Sequence, residues 1–166
     1  MFAKGRIRRG GSLDRFHVAQ ASLSTGYDTA LAEIRLGRKT SHWIWYIFPQ
    51  LEGLGRSSTA RAYAIRDLAE ACEYLRDPLL RARYEEIAGG VSEQLTRGCA
   101  LEDLMGGSTD ALKLVSSLTL FRAAAQGLAG EASTFDSLAQ RCDSILERTS
   151  AQGYPPCAQT VVRVTD

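Results

Sequence analysis

The chain has 166 residues, 45% of them hydrophobic, 23% charged and 8% aromatic, with a formal net charge of +1. That length buries a core without disulfide or metal staples, and the composition excludes a disordered or collagen-like chain. No stretch reaches the ~18 apolar residues a bilayer span needs. The N-terminal positive charges have no apolar segment behind them, so the expected location is cytoplasmic.

The first twelve residues read as a glycine-containing basic arm with Lys4, Arg6, Arg8 and Arg9. No aromatic side chain alternates with these charges, so the arm reads as a solvated tail and a nucleic-acid partner is not expected. From there the domain is expected over residues 13–150. Asp14 offers an N-cap for a helix carrying Phe16, Ala19 and Leu23. After Ser24-Thr25-Gly26, a second helix places Tyr27, Ala30, Leu31 and Ile34 on one stripe and stops near Gly37.

The segment SHWIWYIFPQ, Ser41 to Gln50, is the most aromatic part of the chain. Ser41 is read as the cap of a short helical turn, which Pro49 ends by pushing Phe48 out of the α region. LEGLGRSS then reads as a loop, with Ser57 or Ser58 capping a short helix. Leu68, Ala71, Cys72 and Leu75 form the next stripe. Asp77-Pro78 is an N-cap followed by proline at the first helical position, and it opens a long helix carrying Leu80, Tyr84, Ile87, Val91 and Leu95. Gly89-Gly90 inside that helix marks a bend or a close approach.

A short helix follows over Leu101–Met105. Ser108 or Thr109 then caps a helix running ALKLVSSLTLFRAAA to Ala125, and a last helix is expected around Thr134–Arg148. The remaining residues, 151–166, read as a tail whose VVRVT has the composition of an isolated strand. The expected fold class is all-α: one domain of seven or eight helices with short loops and no sheet.

Cys72, Cys99, Cys142 and Cys157 are widely spaced with no CxxC pair, and His17 and His42 are not spaced as metal partners. Reduced thiols are expected, with no metal and no cofactor. Three places carry polar groups where chemistry is plausible. His42, Trp45 and Gln50 lie in the aromatic block, where Trp43, Ile44 and Ile47 are read as core. Lys113, Ser116 and Ser117 share one helical face, the reverse of the Ser-x-x-Lys order of known acylating enzymes. Arg56 follows two glycines in a loop that opens a helix, a weak anion-binding pattern.

The blocks SHWIWYIFPQLEGLGRSS, Tyr63, EYLRDPLL and DALKLVSSLTLF together resemble the bacterial domain-of-unknown-function family 1810, sometimes mislabelled calpastatin. The resemblance runs from about Leu13 to Ala125. It implies a compact all-α fold with the His-Trp-Phe-Pro-Gln and Lys-x-x-Ser-Ser blocks as its signature, and an uncharacterised function. This chain departs from the pattern at Val115, where a basic residue is usual, and in its C-terminal tail, where a leucine-rich helical stretch is usual.

The expected function is binding of a small anionic or nucleotide-like ligand between the aromatic block and the Lys113–Ser117 helix. If the site is catalytic, His42 is the acid–base, Lys113 the electrostatic stabiliser and Ser116 or Ser117 the ligand contact. The alternative is a protein-interaction module with an aromatic core and a recruiting basic arm, its partner unknown.

Overall fold

Aspartates begin two neighbouring helices. Asp67 accepts from the amide of Glu70, and Asp77 accepts from those of Leu79 and Leu80, with Pro78 in the first turn where no amide proton is needed. A computed structural model describes residues 13–165, and the basic arm lies outside them.

In chain order the helices are α1 (Asp14–Gln20), α2 (Tyr27–Leu36), α3 (Ile44–Ile47), α4 (Ser58–Ala62) and α5 (Leu68–Arg76). Then follow α6 (Pro78–Thr96), α7 (Leu101–Met105), α8 (Ser108–Gly127), α9 (Ser133–Ala151) and α10 (Ala158–Thr165). Seven are seven residues or longer and three are single turns. The described residues contain no sheet, only a parallel bridge between Leu51 and Ile65.

Helix α8 is the axis of the domain. It is buried on nearly every side, through Leu114, Leu118, Phe121 and Ala125 among others, and it packs against α5, α7, α9 and α10. A helix apolar on one face only could not sit there. Tyr74 and Tyr84 stack on Phe121 with ring centroids 5.0 and 4.6 Å away, and Phe48 extends the cluster to Tyr84 at 5.6 Å. Trp43, Ile44 and Ile47 are buried in this core.

Several local expectations are revised. Asp14 is the first helical residue and caps nothing, since Leu13 precedes α1 without a side-chain bond. Helix α8 starts after Gly107, also without a side-chain cap. Ser41 does not cap α3, because a buried glutamate takes its hydroxyl, as described below. The tail is a helix: Cys157, Thr160, Val161 and Val164 follow helical spacing and turn inward onto α8, so the valines do not form a strand.

Helix α6 runs unbroken through Gly89-Gly90, and the reason for glycine is proximity. A Cβ on Gly90 would lie 3.1 Å from Cγ2 of Ile34 on α2. Gly90→Leu is therefore expected to wedge α2 from α6 and lower stability by about 1–3 kcal/mol, despite leucine's better helix propensity. Urea denaturation measures it, and an unchanged midpoint would show that α2 rests lightly on α6.

Candidate functional site

A buried carboxylate shapes the aromatic block. Glu33, on α2, accepts from the amides of Thr40 (2.6 Å) and Ser41 (2.8 Å), the Ser41 hydroxyl (2.6 Å) and Trp43 Nε1 (3.1 Å). Burial pushes its pKa up, but these donors outweigh burial and hold the carboxyl at about 2. Residues 40–43 are thereby folded over one anion, which fixes the entry into α3.

Two lysines then tie that block to α8. Lys39, with only 5% of its side chain exposed, pairs with Asp110 at 2.8 Å, donates to the Ser41 carbonyl and lies 5.0 Å from the Trp43 ring centroid. Lys113 stands 3.7 Å from the other Asp110 oxygen and 5.0 Å from the Trp45 ring centroid. Each ammonium covers an indole, and one carboxylate serves both. The geometry brings the two sequence blocks together as expected, through Lys39 and Asp110, which the sequence reading did not single out.

Two clefts open where the blocks meet. A narrow one of about 10 Å³ lies among Trp45, Phe48, Gln50, Ala60, Tyr63 and Lys113, about the space of one water. Beside it is a groove of about 580 Å³, within the size range of small-molecule sites. Gln50 and Lys113 line both. Leu54, Leu112, Ser116 and Cys157 add to the groove's wall, as do Pro155 and Pro156 of the segment entering α10.

Gln50 is held from its backbone, since its carbonyl accepts from Ile65 and Glu52 N–H donates to the Ile65 carbonyl. Gly55 packs beneath its amide: a Cβ there would stand 2.5 Å from Ala60 Cβ and 3.4 Å from Gln50 Nε2. Trp45 Nε1 is buried without a hydrogen-bond partner, alone in this among the described side chains.

Trp45, Gln50, Lys113 and Ser116 are thus brought together. Three other expected residues are not. His42 is exposed and lines neither cleft; its carbonyl accepts from the Tyr46 hydroxyl, and the acid–base role expected of it has no groove beside it. Arg56 is likewise exposed and outside both clefts. Ser117 is fully buried and bonds the Tyr84 hydroxyl at 2.9 Å, which assigns it to the core. Adjacent serines on a helix point about 100° apart, so only Ser116 reaches the groove side, where it meets Thr160 at 3.4 Å.

Cys157 stands at the start of α10, its amide donating to the Thr119 hydroxyl at 3.1 Å. Partial burial pushes its thiol up, but bonds from the Thr160 hydroxyl and amide, the Ser116 hydroxyl and the Gln159 amide bring it below the ordinary thiol value. Burial moves Cys72, Cys99 and Cys142 the other way. The signal for this corner was the spacing of Cys157, Thr160, Val161 and Val164. Among the described residues no three His, Cys, Asp or Glu side chains cluster as a metal site, and no helix is long and apolar enough to cross a membrane.

No curated protein matches the chain. A solved structure does: the conserved hypothetical protein Rv1873 from Mycobacterium tuberculosis is 36% identical, with a TM-score of 0.75 over 92% of this chain and 96% of that one. A family model described as "Protein of unknown function (DUF1810)" matches residues 11–144, and so takes in the aromatic block, Asp110 and the whole of α8. The chain belongs to the DUF1810 family.

Proposed function

We propose that the protein binds a small organic acid in the groove between the aromatic block, α8 and the segment entering α10. The observation that carries this reading is the set of uncommitted polar groups at one place. Gln50 and Lys113 line both the groove and the narrow cleft: no described group bonds the Gln50 side-chain amide, and Lys113 holds Asp110 only loosely at 3.7 Å, while the partnerless Trp45 indole lines the narrow cleft beside them.

The walls choose the rest of the ligand. Leu54, Leu112, Val115, Pro155 and Pro156 present an apolar surface, and Lys113 is the one cation among the groove's lining residues. A single ammonium balances one carboxylate or sulfonate and does not balance a polyphosphate. An aromatic or branched aliphatic acid therefore suits the groove better than a nucleotide.

Naphthoate should raise the thermal midpoint of the protein, whereas the uncharged naphthamide should raise it much less. Lys113→Met is expected to weaken naphthoate binding about tenfold, equivalent to ~1.4 kcal/mol, and Gln50→Ala to weaken it less. Equal binding of acid and amide, or undiminished binding by Lys113→Met measured calorimetrically, would remove the basis for this reading.

A further inference from the structure

We propose that the narrow cleft beside the groove is the seat of the ligand's acid group and selects carboxylates over sulfonates and phosphonates. One carboxylate oxygen enters the cleft and accepts from the Trp45 indole N–H and the Gln50 amide. The other stays at the mouth, facing Lys113. The inference deepens the acid-binding reading and rests on it.

Size comes first. The cleft has about 10 Å³, the space of one oxygen-sized group. A planar carboxylate inserts one oxygen and leaves the other outside. A sulfonate that inserts one oxygen crowds two more against the mouth. The cleft is also kept narrow by the chain itself. A Cβ at Gly55 would stand 2.5 Å from Ala60 Cβ and 3.4 Å from Gln50 Nε2, so glycine lets α4 close against the Gln50 amide.

The lining supplies donors and no acid. Trp45 as a whole is half-buried, but its Nε1 is enclosed and no described group accepts from it. None of the cleft's lining residues is an aspartate or glutamate, and Phe48, Ala60 and Tyr63 are among its apolar and aromatic walls. The acceptor for the indole therefore arrives from outside the protein, as water or as a ligand oxygen. Charge favours the anion. Asp110 makes its short contact, 2.8 Å, with Lys39 and leaves Lys113 at 3.7 Å, outside hydrogen-bonding distance. Lys113 thus keeps its donors for a second anion, 5.0 Å from the Trp45 ring centroid. Because Gln50 and Lys113 line cleft and groove alike, a carboxylate seated in the cleft leads its apolar body into the groove.

The chain has two tryptophans, so an isotope-labelled sample gives two indole N–H resonances. Trp43, bonded to Glu33, is the internal control. Titration with naphthoate should move the Trp45 N–H resonance and slow its exchange with water, while the exchange of Trp43 is unchanged. Naphthalenesulfonate should bind at least about tenfold more weakly, a difference of ~1.4 kcal/mol, and should leave the Trp45 exchange rate as it was. Trp45→Phe keeps the ring face and removes the N–H, and should cost most of the preference for the carboxylate. Ala60→Val narrows the cleft without touching the groove's lining and should do the same. Equal binding of the sulfonate, or a Trp45 N–H unaffected by bound naphthoate, overturns the cleft assignment and leaves the groove reading standing. Failure of naphthoate to bind overturns both.

Discussion

Glu33→Ala is expected to be the most damaging single change to this domain, at about 3–5 kcal/mol. It strands the part-buried amides of Thr40 and Ser41 and the fully buried indole N–H of Trp43. Because these residues set the entry into α3, the loss should register both in urea denaturation and in weaker naphthoate binding at the groove. Glu33→Gln keeps one acceptor oxygen and should recover part of the stability.

The same carboxylate gives the fold an acid limit. Its folded pKa is about 2 against an ordinary 4.5, so the folded state binds the proton less readily than the unfolded chain does. The resulting stabilisation is complete above about pH 4.5 and is withdrawn as the pH falls toward 2. Urea midpoints measured across that window should decline in the wild type, and Glu33→Gln should flatten the decline. A slope unchanged by Glu33→Gln would assign the acid sensitivity to other carboxylates.

The second large effect is expected at Asp110. Removing it leaves the almost completely buried Lys39 ammonium without its anion, at a cost of about 3 kcal/mol or more, because an unpaired charge in an apolar setting is worse than no charge. Lys39→Met in the same chain should restore most of the loss, since methionine fills the stem's volume above Trp43 without a charge to solvate. A double-mutant cycle measures the coupling. Additive single losses would mean that Lys39 finds compensation in the Ser41 carbonyl alone.

What could be read without coordinates follows the reach of each signal. Periodicity located the long helices α6, α8 and α9 because their stripes repeat over several turns. The Asp77-Pro78 cap and the Phe48-Pro49 stop were legible because their physics is local to a few residues, whereas the same rule misplaced a cap at Asp14. The buried Glu33 was not: a glutamate on a helix reads as solvated, and its four donors arrive from residues seven to ten positions on. Asp110 looked like an ordinary first-turn acid of a helix, and nothing local to Lys39 tells that it is covered.

Trp45, Gln50, Lys113 and Ser116 were singled out from polarity within apolar blocks and lie at the clefts; the same criterion admitted Ser117, which is fully buried against Tyr84, 33 residues distant. His42 was attractive by chemistry alone; its exposure is set by how Trp43 and Ile44 turn inward beside it. Helix α10 was missed because β-branched residues favour strands in isolation, and packing on α8 decides otherwise.

Helix α10 lies beyond residue 144, where the family match stops, yet Thr160 and Cys157 anchor it to α8, and Arg163 donates to the backbone carbonyls of Glu52 and Arg66. The family model therefore spans one side of the groove, and the other is built by residues 155–159, beyond the end of that match. Under the proposed acid-binding reading, exchanging that closing segment is expected to retune ligand choice while the hydrophobic centre is left alone. For protein engineering, trimming the chain to the end of the family match would remove the groove's far wall.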